Sequence, residues 1–158
     1  MSVTLAPLAR TDLPRVAHLR VAPDQIRFSG TVAEAFETNE PDVDFHAIEV
    51  NGTAVGFFKI DRSFPDRYPF VPKGDLGLRA FLIDLGHQGK GFGAQACRAL
   101  PTYLHEHYRD ARSVFLTVNV INLAAVRAYA KGGFSDTGEI WPHGNAGPQH
   151  VLRLGLVT

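Results

Sequence analysis

The segment Gln88–Ala96, QGKGFGAQA, constrains this chain more than any other. Gly89, Gly91 and Gly93 fall within five residues, and an Ala-rich, helix-forming run follows at once. Glycine costs backbone entropy on folding, so its concentration where a helix must start needs a physical return. Clearance is one such return. Successive N–H groups at a helix start attract an anion, helped by the helix dipole, and glycine removes the Cβ atoms that would keep a phosphate away. The plain alternative is a strand-to-helix turn that only requires positive φ. The spacing favours the phosphate cradle.

Two known phosphate motifs do not fit. A P-loop needs Gly-Lys followed by Ser or Thr, and Gly89-Lys90 is followed by Gly91. A dinucleotide fingerprint reads G-x-G-x-x-G, whereas the order here is Gly86-x-x-Gly89-x-Gly91-x-Gly93. The anion is therefore expected to be a phosphate of another kind.

Around this turn the periodicities predict strands at 3–8, DFHAIEV, TAVGFFKID, LGLRAFLID, SVFLTVN, FSDTGEIW and PQHVLRLGLV. Asn51-Gly52 between the second and third strands is a strong hairpin signal. Helices are predicted over TDLPRVAHLRV, 31–39, GFGAQACRALPTYLHEHY and NLAAVRAYAK. Pro101 predicts a kink or early end in the third helix. PDQIRFSG and 62–75 read as irregular connections. The order is β-α-α-β-β-β-α-β-α-β-β, an α/β chain with a mixed, mainly antiparallel twisted sheet flanked by helices.

The length of 158 residues suits a single domain, 1–158. Lys plus Arg and Asp plus Glu both number 16, which argues against a nucleic-acid partner. No apolar run reaches the roughly 20 residues of a membrane helix. The N-terminus lacks a basic start and apolar core, so a cytoplasmic protein is expected. Histidines and acids show no ligand spacing, and no metal is expected. The lone Cys97 reads as a buried helix residue rather than a nucleophile.

Two blocks carry a family resemblance. Gln88-Gly89-Lys90-Gly91-Phe92-Gly93 fits the [Q/R]-x-x-G-x-[G/A] signature of the GNAT superfamily, the acetyl-CoA-dependent N-acetyltransferases. NVINLAAVRAYAKGGF, 119–134, resembles that superfamily's N-x-x-A-x-x-x-Y followed by Gly-Phe. The motif likeness covers about 79–141, with a weaker likeness to small-amine enzymes of the spermidine type. It implies acetyl-CoA as co-substrate, a small primary amine as acceptor, and a GNAT-like fold. A homodimer is a family-level expectation. The alternative on the same fold is a non-catalytic acyl-CoA sensor.

The resemblance also implies roles. The backbone of Phe81, Leu82 and Ile83 meets the pantetheine arm. Gln88, Gly89, Lys90, Gly91, Phe92, Gly93 and Ala94 surround the pyrophosphate, although Lys90 reads equally as a solvated lysine. Asn122 contacts the coenzyme or simply caps its helix. Asn122, Ala125 and Tyr129 share one helix face. Tyr129 is the implied general acid to the CoA thiolate, with a core tyrosine as the plain reading. A strand N–H near Leu82 or Ile83 holds the oxyanion.

Where many relatives carry a Glu, this chain has Arg79. The base stays unassigned among Glu49, Asp75, Asp24, His46 and His150, or is solvent when binding lowers the amine pKa. Asp84 reads as structural. The acceptor site is expected from APDQIRFSG, 62–75 and 142–150. Asp24 and Gln25 would greet a cation, and Phe28, Phe64, Tyr68 and Phe70 would wall it in.

Overall fold

The computed structural model describes residues 2–144 and 146–156. Among these residues seven strands form one sheet in the order β1-β2-β3-β4-β5-β7-β6. They are β1 (Thr4–Leu8), β2 (Val43–Val50), β3 (Thr53–Asp61), β4 (Leu76–Ile83), β5 (Ser113–Asn119), β6 (Ser135–Trp141) and β7 (Gln149–Gly155). All neighbours are antiparallel except β4 and β5. Asn51 and Gly52 both have positive φ, 52° and 79°, as the tight β2–β3 turn demands. Pro7 sits on the edge strand β1, where its missing N–H breaks no central ladder.

Among the described residues six α-helices flank the sheet: α1 (Leu13–Val16), α2 (Pro23–Ser29), α3 (Val32–Glu37), α4 (Phe64–Arg67), α5 (Phe92–His107) and α6 (Leu123–Lys131). On one face α5 buries Phe92, Ala96, Cys97, Leu100 and Leu104 against Val55, Phe58, Ile60 and Leu116. These positions recur at helical spacing, so a single stripe of α5 meets the sheet. On the other face Val16, Leu19, Val32 and Ala35 pack on Phe45, Ala47 and Phe57. Each buried Val, Leu, Ile or Phe among them contributes about 1.5–3 kcal/mol by leaving water.

The fold class is the expected one, a mixed, mainly antiparallel sheet flanked by helices. Four local expectations need correction. The first helix spans Leu13–Val16 instead of the whole of TDLPRVAHLRV. PDQIRFSG is helix α2: Pro23 occupies its first turn instead of breaking it, and Gly30, at φ 71°, ends it. The 62–75 segment contains the short helix α4. Pro101 does not end α5, which continues to His107. Buried Leu100 and Leu104 hold both sides of the proline against the sheet.

Candidate active site

The site originates in a failure of pairing. β4 and β5 are in register only at Leu76–Val114 and Gly77–Phe115. Two devices pin this closed end. Asp75 Oδ1 accepts from the N–H groups of Arg112 (3.0 Å) and Ser113 (3.2 Å), tying the starts of both strands. Phe64 lies flat on Gly77, so close that an added Cβ would stand 2.1 Å from its ring. Beyond these points the strands part. Residues 78–83 of β4 and 117–119 of β5 line opposite walls of a cleft of about 1120 Å³.

A bulge helps to open it. Lys59 pairs with Arg79 and Phe57 with Leu82, so two β4 residues, Ala80 and Phe81, oppose Phe58 alone. Ala80 takes φ 52°, a left-handed conformation unusual for a residue with a Cβ. The side-chain alternation shifts there: Arg79 and Ala80 both lie on the α1–α3 face, while Phe81 returns to the α5 face. Bulges re-aim side chains in this way. No local sequence signal marks this one.

One end of the cleft is backbone. A 3-10 turn, Leu85–His87, leads into Gly89 and Gly91, both at φ 80°. Gly91 is the N-cap of α5, and the first helical bond runs from Gln95 N–H to Gly91 C=O (3.0 Å). The N–H groups of Phe92, Gly93 and Ala94 are therefore left without intrahelical partners. A Cβ on Gly89 or Gly91 would meet no protein atom within 4 Å, so the space above the turn is open. This geometry fits a phosphate group, and the unpaired edge of β4 fits an extended amide-bearing arm.

Gly89, Gly91, Phe92, Gly93, Ala94, Phe81, Leu82, Ile83, Gln88, Asn122 and Tyr129 all line the cleft. Lys90 is exposed and lies outside that lining. Gln88 Nε2 donates to the Ile83 carbonyl (2.9 Å) and to Gln25 Oε1 (3.1 Å), so its amide braces the turn. Asn122 occupies the N-cap position of α6 without making a side-chain cap bond. Tyr129 packs edge-on against Phe81 (5.7 Å) and Phe134 (5.5 Å). Burial pushes its phenol well above the ordinary tyrosine value, and neighbouring Cys97 adds to the shift. The group therefore holds its proton at neutral pH. Cys97 is fully buried and its thiol is pushed up to about 12 by burial, which removes it as a nucleophile.

The other end is built from side chains. Arg79 Nη1 donates to Glu40 Oε2 (2.8 Å) and Asp61 Oδ2 (3.1 Å). Lys59 Nζ donates to Glu40 Oε1 (3.0 Å). Arg67, on α4, stands 3.6 Å from Glu40 and 3.5 Å from Asp61. Burial alone would raise the Glu40 pKa; hydrogen bonds from Arg79 and Lys59 outweigh it and hold the group at about 2. Three cations thus face two carboxylates. Phe28, Phe64, Tyr68 and Trp141 add aromatic surface to the lining.

Of the acceptor-site expectations, Gln25 and Phe28 reach the cleft. Asp24 is exposed on α2 and Glu49 pairs with Arg15 (3.1 Å), both away from the cleft lining. Phe70 packs with Tyr68 and Trp141 just behind it. Asp75 is spent on the β5 start. His46 is buried between the Tyr103 (2.6 Å) and Tyr108 (3.0 Å) hydroxyls, where burial lowers its pKa to about 4. His150 sits 3.9 Å from Asp136 and does not line the cleft. Asp84 is structural: burial opposes its charge, but the Arg20 N–H (2.9 Å) and His87 Nδ1 (2.9 Å) keep its pKa lowered.

Sequence reasoning missed Arg27, Glu34, Lys59, Asn119 and Trp141 as lining residues. Asn119 Nδ2 donates to Ala146 C=O (2.7 Å) and secures part of the 142–150 loop, of which Asn145 lies outside the described residues. No group of three His, Cys, Asp or Glu among the described residues is placed to hold a metal. None of their helices is long and apolar enough to cross a membrane.

A sheet parted between two parallel strands, with an anion-ready helix start at its mouth, has the shape to seat a phosphate-bearing group. Residues 12–134 match the acetyltransferase (GNAT) family model, and the chain belongs to that family. It is an acyltransferase. The spermine/spermidine N(1)-acetyltransferase of Bacillus subtilis (strain 168) is 26% identical over 142 residues, 89% of this chain and 92% of that one. The aminoglycoside acetyltransferase AAC(6')-Ib, solved in complex with coenzyme A, shares the fold with a TM-score of 0.78 at 23% identity, over 98% of this chain and 95% of that one. The spermidine N-acetyltransferase of Vibrio cholerae, solved with CoA and spermine, gives a TM-score of 0.67 at 18% identity, over 98% and 95%.

Proposed function

We propose that this protein transfers the acetyl group of acetyl-CoA to the primary amine of a small molecule, by direct attack and without a covalent enzyme intermediate. The relatives named for acting on spermine, spermidine and aminoglycosides support an amine acceptor. One observation carries the reading: Tyr129 lines the same cleft as the unpartnered N–H groups of α5, and its hydroxyl has no hydrogen-bond partner among the described residues.

Bound acetyl-CoA supplies an activated thioester and a thiol as leaving group. The N–H groups of Phe92, Gly93 and Ala94 hold its phosphates, and the free edge of β4 at Phe81–Ile83 aligns its arm. An N–H of the same edge, at Leu82 or Ile83, takes up charge on the carbonyl oxygen. Tyr129 then gives its proton to the departing thiolate. A phenol of raised pKa can do so because the thiolate, leaving in the same desolvated cleft, is also made more basic.

A non-catalytic sensor of acyl-CoA is favoured by one observation, the absence from the cleft of Glu49, Asp75, Asp24, His46 and His150. The surplus cation among Lys59, Arg67 and Arg79 answers it. A nearby positive charge lowers an amine's pKa, so the acceptor can react in its neutral form without a protein base. CoA release measured across an amine panel separates the readings. Turnover with at least one amine is expected; tight acetyl-CoA binding with no turnover would establish the sensor.

A further inference from the structure

Arg79 stands where a carboxylate base was expected, yet it is not simply a neutralised core residue. Its Nη1 alone serves Glu40 and Asp61. The Nε and Nη2 donors have no partner among the described residues. These two N–H groups form one edge of the guanidinium, the edge that meets a carboxylate with two parallel hydrogen bonds. The side chain is 27% exposed and lines the cleft. Glu40 and Asp61 grip the opposite side of the guanidinium, so the free edge is held in place before anything binds.

The charges around it point the same way. Glu34 is the sole carboxylate among the described lining residues, against Arg27, Lys59, Arg79, Arg127 and Lys131. Glu34 is already engaged, accepting from the Thr31 hydroxyl at the start of α3 (3.1 Å). Glu34 has no ion pair among the described residues and is outnumbered by these cations, so a polycation entering this end would meet Lys59 and Arg79 with a single carboxylate to offset them.

We propose, on the basis of the transferase reading above, that the acceptor carries a carboxylate beside its amine, as an amino acid does, and that Arg79 binds that carboxylate through its Nε–Nη2 edge. Specificity then departs from the polyamines named for the relatives of this chain. Repulsion from the cationic lining lowers the amine's pKa while the carboxylate anchors the molecule.

The test uses the full-length protein, acetyl-CoA, and acceptor pairs that differ only by a carboxylate: lysine with 1,5-diaminopentane, phenylalanine with phenethylamine, and spermidine alongside. Thiol release gives kcat/KM for each. The carboxylate-bearing member should exceed its partner by about tenfold or more, mainly through KM. Equal rates, or a preference for the decarboxylated amines and spermidine, would overturn the proposal while leaving the transferase reading intact. Loss of turnover with both members of every pair, acetyl-CoA still binding, would sink that reading and this proposal with it.

Arg79→Lys then assigns the residue. Lysine keeps a charge for Asp61 and Glu40 but has no planar edge. The acid-to-amine ratio should collapse toward one. A merely structural defect would lower both members together and leave the ratio unchanged, and that outcome would remove Arg79 from the acceptor site.

Discussion

The two ends of the cleft are made of different material. The phosphate end is main chain: N–H groups at the start of α5, exposed by glycines at φ 80°. The proposed acceptor end is side chain, with Arg79, Lys59, Glu40, Asp61 and Arg67 converging from β3, β4, α4 and the segment after α3. A backbone site recognises what all substrates of a class share, because N–H groups do not vary. A side-chain site discriminates, because each residue can be exchanged. The coenzyme end is thus set by local geometry and the acceptor end by long-range packing.

Tyr129 lies between the ends and gives the largest expected effect. Replacing it with Phe removes the proton donor but keeps the ring contacts with Phe81 and Phe134. We expect kcat to fall about 100- to 1000-fold, as for other general acids, with CoA affinity retained. Steady-state kinetics and calorimetric CoA titration check this; an unchanged kcat removes Tyr129 from the chemistry.

The difference in material also governs what titrates. Main-chain N–H groups do not titrate near neutrality, but the frame beneath them does. His46 is held neutral by burial, with its folded pKa about 4 against 6.5 in the open chain. The unfolded state therefore binds a proton first, and stability is complete above pH 6.5 and declines as pH falls toward 4. The loss amounts to about 3 kcal/mol by the lower limit. Glu40 has a separate window. Its folded pKa of about 2 lies below 4.5, so its contribution is present above 4.5 and is lost as pH falls toward 2. Urea unfolding at pH 7 and 4.5 should show the first loss, and His46→Gln should flatten it. A slope that survives in that variant would place the proton elsewhere.

Gly91→Ala probes the phosphate end directly. The new Cβ meets no protein atom within 4 Å, so the fold bears only the left-handed backbone strain, about 1–2 kcal/mol. That strain is present with and without ligand and cancels from the binding constant. A rise in CoA Kd of about tenfold, 1.4 kcal/mol, would report the clearance itself. An unchanged Kd would mean that no phosphate approaches this turn.

The same contrast explains what the sequence revealed. The glycine turn and the Asn122-Ala125-Tyr129 face were legible because each lies within one local element, where spacing implies geometry. Arg79 was visible only as a departure from a pattern. Its partner Glu40 is 39 residues away, and no local rule joins them. The bulge at Ala80 was hidden because an alanine carries no mark of positive φ. Helix α2 was hidden because a proline can end one helix as well as open the next, and Pro23 opens α2. Gln25 at its third position and Gly30 at its end were the missed signals.

Gln25 and Gln88 offer the smallest expected effect and join the two ends. Each was expected to touch a different ligand, Gln25 the acceptor and Gln88 the coenzyme. Both line the cleft, and the two amides also pair with each other, Gln25 Nε2 to Gln88 Oε1 (3.2 Å) and Gln88 Nε2 to Gln25 Oε1 (3.1 Å). Gln25 Oε1 also accepts from the Ala22 N–H (3.0 Å), and Gln88 Nε2 reaches the Ile83 carbonyl. The pair therefore fastens α2, on the acceptor side, to the last residue of β4, on the coenzyme side. Gln25→Ala, Gln88→Ala and the double variant form a cycle whose coupling should be about 0.5–1 kcal/mol in unfolding free energy. The functional signature is finer. Freeing α2 should raise the acceptor KM a few-fold in Gln25→Ala while CoA affinity holds, because the α5 N–H groups do not depend on α2. Gln88→Ala should disturb both, since it also releases Ile83. Zero coupling, or a Gln25→Ala variant whose CoA affinity falls with its acceptor KM unchanged, would show that α2 serves the coenzyme end instead and that the two ends are less distinct than their materials suggest.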